Sequence, residues 1–194
     1  VTARAAVSPL HVLVRVWVAM LGALLACVPL VVAVTDWRGQ SRAAAADAAQ
    51  RRGDFDAALA LRRQATLVSP RDAALQLSYA TAARSLWFFR DTPALQHAAD
   101  VAYTRAAQLS PHWAAVPFEH ARMYAFKERY GRAVALLDPA LTLDPANAGL
   151  WLERAGYLEQ LSRFAEARAA YERCWAIDVV WPCDAGLRRV RGRS

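Results

Sequence analysis

The residues best suited to chemistry are four histidines, three cysteines and seventeen carboxylates. Their spacing decides what they can do. His112, Glu119 and His120 come closest to a site. A zinc hydrolase places two histidines four residues apart on one helix face, with a glutamate beside the first. Here Glu119 and His120 are adjacent, so they point to different faces, and His112 directly follows Pro111. His11 and His97 stand alone. No Gly-rich phosphate loop is present, and no serine sits in a strand–turn–helix elbow. Asp54, Asp91 and Asp144 fall at turn positions, and nothing poses two carboxylates for acid–base work. The expectation is a non-enzymatic chain with no catalytic, metal or cofactor site.

The cysteines lead elsewhere. Cys27 lies in an apolar run, and Cys174 and Cys183 lie close together further on. They form neither a CxxC site nor a disulfide framework. Cys174 and Cys183 either pair in an oxidising compartment or stand as separate thiols, the simpler reading.

The chain has 194 residues, enough for one domain by length. Apolar residues make up 56%, with alanine prominent. Lys and Arg total 24 against 17 acidic residues, and all but Lys127 are Arg. That Ala-rich, Lys-poor balance reads as codon bias, so the net charge of +7 argues little for a nucleic-acid partner. No basic cluster interleaves with aromatics, and no zinc-finger spacing occurs, so no nucleic-acid partner is expected.

Residues 16–34, "VWVAMLGALLACVPLVVAV", carry no charge over 19 positions. As a helix they span about 28 Å, close to the hydrocarbon thickness of a bilayer. Trp17 and Trp37 stand near the two ends, where amphipathic rings favour the interface. Three readings follow. An uncleaved transmembrane anchor over residues 16–35, contacting the bilayer, is expected. A cleaved signal peptide would need a shorter apolar region and an A-x-A site. A lipoprotein signal is suggested by "LLAC" ending at Cys27, but seven apolar residues follow that cysteine without a break. Arg4 and Arg15 flank one side, and Arg38, Arg42, Arg51 and Arg52 the other, so the charge bias is nearly tied. The expected location is the cytoplasmic (inner) membrane of a bacterium, single-pass, with the body on the extracytoplasmic side.

Beyond residue 35 the apolar positions recur at three and four residues, which predicts helices throughout. Four segments end alike, at Pro70, Pro111, Pro145 and Val179, and the last two intervals are each 34 residues. Twelve residues before each end stands an alanine: Ala58, Ala99, Ala133, Ala167. Five before it come Ala65, Ala106, Ala140 and Cys174. Two before it come Val68, Leu109, Leu143 and Ile177. A period of this length marks an array of helical hairpins, each with an apolar face that only a neighbour can bury.

These positions resemble the tetratricopeptide repeat (TPR) family over roughly residues 39–179. On that resemblance Ala46, Ala80, Ala121 and Ala155 take the small position of helix A, and Trp151 its opening aromatic. Phe55, Tyr130 and Phe164 follow the turn between helices. Tyr103 and Tyr171 are the aromatics of helix B. Gly53 and Gly131 match the turn glycine, the latter more loosely because it follows Tyr130, and Ser162 stands in for it in the last repeat. The implied fold is all-α: an N-terminal transmembrane helix, then an α-solenoid of about four TPR-like hairpins. The implied organisation is a short tail (1–15), the anchor (16–35), the solenoid (36–181) and a basic C-terminal tail (182–194).

The departures carry their own expectations. Pro70 to Pro111 is 41 residues, seven over the period, and the excess falls around "SLWFFRDTP". A longer helix A there projects Trp87, Phe88 and Phe89 as a candidate exposed aromatic patch. Pro139 inside a helix B removes a ladder bond and should bend it. Val179 replaces the closing proline, so the last helix is expected to run on until Pro182 stops it.

The resemblance places the working surface on the helix A face. The candidate groove is Leu77, Thr81, Arg84, Phe118, Arg122, Phe126, Leu152 and Glu159, with Ala125 and Gly156 alongside. Family members that clamp chaperone C-termini use Lys, Arg and Asn at positions that here hold Leu77, Thr81, Phe118, Arg122, Leu152 and Gly156. Only Arg122 is basic, so a mixed apolar and arginine groove suits a peptide or helix better. The function expected is a membrane-anchored scaffold that binds membrane-associated protein partners in an envelope complex. The alternatives are an accessory subunit of a polytopic enzyme such as a polysaccharide polymerase or ligase, and a pilus-assembly type of lipoprotein processed at Cys27.

Overall fold

A computed structural model describes residues 9–179 and 181–193, so the first eight residues of the expected tail lie outside it. The described residues form nine α-helices and no strand: α1 (Pro9–Arg51), α2 (Phe55–Val68), α3 (Ala73–Arg90), α4 (Pro93–Leu109), α5 (Ala115–Ala125), α6 (Tyr130–Leu143), α7 (Ala148–Gln160), α8 (Phe164–Ile177) and α9 (Trp181–Val190). Successive helices pair as hairpins, α1 with α2, α3 with α4, α5 with α6 and α7 with α8, and each hairpin stacks on the next. The result is an all-α solenoid, as the period implied.

The small residues explain the pairing. Ala46, Ala80, Ala121 and Ala155 are all fully buried, as are Ala99, Ala133 and Ala167 opposite them. A methyl group at each crossing lets the helix backbones approach closely, and the large side chains fill the spaces between hairpins. Tyr103, Tyr171, Met123, Leu137 and Leu158 do that filling. The ends are set locally. Asp54, Asp72 and Asn147 cap the starts of α2, α3 and α7 by accepting from backbone N–H groups. Ser69, Ser110, Asp144 and Asp178 close the B helices with one repeated bond, from their own N–H to the carbonyls of Ala65, Ala106, Ala140 and Cys174.

Four expectations are corrected. The seven extra residues do not lengthen α3 alone: α4 has 17 residues where α2, α6 and α8 have 14 each. Gly131 lies in the first turn of α6. The left-handed residue of that turn is Glu128 (φ 58°), whereas Gly53 (φ 81°) and Ser162 (φ 59°) hold the expected turn positions. Pro182 does not stop a helix. α8 ends at Ile177, and Pro182 sits in the first turn of α9, where its missing N–H has no bond to lose. Finally, the described part of the expected basic tail, residues 182–193, is mostly helical. Their helix α9 packs on α8 and α7, with Cys183 and Val190 buried.

The cap is held three ways. Cys174 and Cys183 are disulfide-bonded, with Cα atoms 6.0 Å apart, so the separate-thiol reading is replaced. Cys174 occupies the small slot filled by alanine in the other repeats, and that position brings its sulfur to α9. Gly186 lies so close to the Tyr171 ring that any Cβ would overlap it. Arg189 grips Glu159 at 3.0 and 3.1 Å, and Tyr171 donates to the same carboxylate at 2.8 Å.

At the other end, α1 is a single helix of 43 residues, which runs from the apolar stretch straight into the first hairpin. Its Met20–Arg51 part is long and apolar enough to cross a membrane, alone among the helices of the described residues. Pro29 lies within it, and Pro139 lies within α6. Pro139 and Ala135, whose carbonyl loses its ladder bond, are both exposed, so the proline sits on the solvent side of α6.

Candidate functional site

The helix A row brings four of the expected residues, Arg84, Phe118, Arg122 and Phe126, into one cluster. Arg84 of α3 reaches α5, where its Nη1 donates to Glu119 Oε2 at 2.5 Å and to the Glu119 carbonyl at 3.2 Å. Arg122 donates to the other oxygen of the same carboxylate at 3.2 Å. Two guanidinium groups therefore share one carboxylate, and the cluster keeps a net positive charge. Phe126 lies 5.4 Å beneath both guanidinium groups, and Phe118 lies 5.5 Å beneath Arg122. Such stacking fixes the planar groups; the Arg122 side chain stays 35% exposed, whereas Arg84, at 11%, is largely buried behind it. Thr81 is turned back onto its own helix, its hydroxyl donating to the Leu77 carbonyl, and Leu77 packs half-buried on the core.

The three aromatics expected as an exposed patch part ways in the structure. Trp87 is 2% exposed and belongs to the core, edge-on to Tyr124, with Lys127 and Arg129 over its ring. Its indole points inward because α3 turns it toward α5, which a reading of three consecutive aromatics could not resolve. Phe89, 80% exposed, and Phe88 do face solvent, and Phe88 meets Phe126 edge-on at 6.0 Å. The patch is thus Phe88, Phe89 and Phe126, continuous with Arg84. Beside it a groove of about 470 Å³ lies between the first hairpin and α3, flanked by Phe89 and by exposed Phe55.

Leu152 lines a separate groove between α5 and α7, shared with Phe118 and Trp113. Glu159 leaves the candidate set, because its carboxylate is engaged by Arg189 of the cap and by Tyr171 of α8. The Arg189 guanidinium, with help from the Tyr171 hydroxyl, holds Glu159 below the usual carboxylate range against the effect of burial.

Glu119 is the residue to which sequence reasoning gave no role: set aside as a metal ligand beside His112 and His120, it pairs with the two arginines. His120 is buried and meets Asp100 at 2.7 Å, stacked on Tyr103 at 4.9 Å. Tyr124 donates to the same Asp100 carboxylate at 2.8 Å. Burial holds the His120 imidazole below its ordinary range despite Asp100. Among the described residues no three His, Cys, Asp or Glu side chains gather as a metal site.

Comparison with other proteins supports this architecture. No family model matches the sequence, and no curated protein matches it. Solved structures do match. A tetratricopeptide repeat protein from Parabacteroides merdae superposes with a TM-score of 0.66 at 16% identity, over 80% of this chain and 61% of that one. A MamA structure from Desulfovibrio magneticus superposes with a TM-score of 0.65 at 13% identity, over 80% and 85% of the two chains. A thermophilic TPR protein from Thermus thermophilus gives 0.55 at 18% identity, over 80% and 84%. At such identities the likeness is one of fold. The four stacked hairpins, their buried alanines and these superpositions together give the chain a tetratricopeptide-repeat type of fold.

Proposed function

We propose that this chain is a bacterial scaffold, anchored in the inner membrane by residues 16–35, that binds a protein segment on its helix A face. The carrying observation is the joined surface of Phe88, Phe89 and Phe126 with Arg122, apolar and cationic at once, with Arg84 largely buried beneath it and stacked on Phe126. An apolar helix or extended segment would bury the phenylalanines, and the exposed edge of the Arg122 guanidinium would take its carbonyls or a carboxylate. Binding rather than chemistry suits the carboxylates, which are engaged in pairing or capping wherever they are buried. The Cys174–Cys183 bond favours an extracytoplasmic solenoid, since such bonds persist in oxidising compartments.

Affinity purification of the full chain in mild detergent, followed by identification of the co-purifying chains, tests this reading. Replacing Phe88, Phe126 and Arg122 together by Ala should lose those partners. Undiminished recovery of the same partners would overturn the assignment of the face.

A further inference from the structure

The join between α1 and the solenoid contains no linker, and this fixes where the first hairpin lies relative to a bilayer. The apolar run ends at Val34. At the next residue the body already touches the helix: Ser69 Oγ donates to the Thr35 carbonyl at 2.9 Å. One turn on, Gly39 is buried against Ser69 and Leu75, with no room for a Cβ. Gln40 then donates to Asp72 at 3.0 Å. Residues 35–39 cover about 7.5 Å of helix. The headgroup layer on each side of a bilayer is about 5–7 Å thick, the difference between the hydrocarbon core and the full membrane. If residues 16–34 span the core, residues 67–72 must lie in that layer.

The side chains at this level suit such a place. Trp37 is 68% exposed and Leu67 is 72% exposed, although neither has a protein partner to cover it among the described residues. Arg38 and Arg71 are exposed, and among the described residues no ion pair includes either. Asp72, the nearest carboxylate on the loop, is consumed by capping α3 and by Gln40. Amphipathic rings and free arginines beside an apolar span are the chemistry of an anionic lipid surface.

We infer that the turn between α2 and α3, with Trp37 and Arg38 of α1, forms a foot that seats the solenoid on anionic phospholipid headgroups. The foot rests on the anchor reading of residues 16–35. It gives the solenoid a set height and orientation, with the helix A starts toward the lipid and the turn at Gly53 away from it. Arg52 beside that turn is 17 residues beyond Thr35, about 26 Å further along α1.

The test uses the full chain in vesicles of equal parts phosphatidylcholine and phosphatidylglycerol. An environment-sensitive dye is placed on Pro70→Cys, on Leu67→Cys or on Arg52→Cys, each with Cys27→Ala. A fourth sample carries the dye on native Cys27. Spin-labelled lipids serve as quenchers, and the Cys174–Cys183 bond leaves those sulfurs unreactive. The expected result is several-fold stronger quenching by headgroup-level labels at positions 70 and 67 than at 52, and stronger quenching at 70 and 67 when the label is carried by phosphatidylglycerol than when it is carried by phosphatidylcholine at the same mole fraction. If Cys27 is quenched by acyl-chain labels while 70 and 67 match 52, the foot is wrong and the anchor stands. If Cys27 is not quenched, the anchor reading fails and takes the foot with it. Equal quenching at 70 and 67 by labelled phosphatidylglycerol and labelled phosphatidylcholine would overturn the anionic partner.

Discussion

Reducing the Cys174–Cys183 bond should release α9 from the end of the solenoid without unfolding the rest. The two cysteines are nine residues apart, so the bond closes a short loop. Loop-closure entropy for that length is about 2.6 kcal/mol at room temperature. Both sulfurs are buried, and reduction removes no atoms from the core, so the loss is close to this closure value. A change of about 2.6 kcal/mol raises the open population of α9 roughly 70-fold, since 1.4 kcal/mol is a factor of ten. Repeat arrays couple mainly to nearest neighbours, so the opening stays at the C-terminal end. Arg188 and Arg189 in α9 and Arg191 just after it are trypsin sites that a packed helix protects. Limited trypsin digestion of the full chain in mild detergent, with and without reductant, therefore reads the opening directly. Cleavage at these sites should accelerate by that factor, while cleavage at Arg52 in the α1–α2 turn serves as the unchanged reference. Equal rates in both conditions would refute the reasoning. So would alkylation of Cys174 and Cys183 without reductant.

Other substitutions should separate along lines of burial. Trp87→Ala should cost about 3–5 kcal/mol in urea unfolding, whereas Phe89→Ala should stay within about 0.5 kcal/mol and act only on partner recovery. Gly186→Ala drives a methyl into the Tyr171 ring and should destabilise the cap by about 1–3 kcal/mol, read by the same protease assay. Glu159 titrates lower in the folded chain than its ordinary value near 4.5, so its contribution is complete above that pH. It is lost as pH falls through the folded value, and hydrogen exchange of α9 should rise there in the wild type but not in Glu159→Gln. His120 is also depressed, but as a base it loses stability when the unfolded state takes its proton first. The urea midpoint should therefore fall as pH drops below about 6.5, and it should do so less in His120→Gln.

The repeat was legible because small residues at fixed spacing leave a periodic trace. Ala58, Ala99, Ala133 and Ala167 fall on the same packing position, and three of the four closing positions hold proline. The functional surface left a weaker trace. Arg84, Arg122, Phe118 and Phe126 could be placed on helix A faces, but Glu119 could not be assigned to them, because a carboxylate bridging α3 and α5 has no local signature. Trp87 and Phe88 are neighbours in the chain with opposite fates, and only the rotation of α3 against α5 decides which one is buried. Residues 182–194 look like a basic terminus by composition, and their helix is stable because Tyr171, Glu159 and Cys174 receive it.

The amino-acid sequence by itself determined the helices of the four hairpins, their pairing and the apolar run, since each follows from local periodicity, turn chemistry or the length of an uncharged run. The tertiary structure alone decided that α1 passes from the span into the first hairpin without a hinge, that α9 is a bonded cap, and that two arginines share one glutamate. Those features depend on contacts between residues far apart in the chain, where nothing in the local pattern records which side chain will arrive.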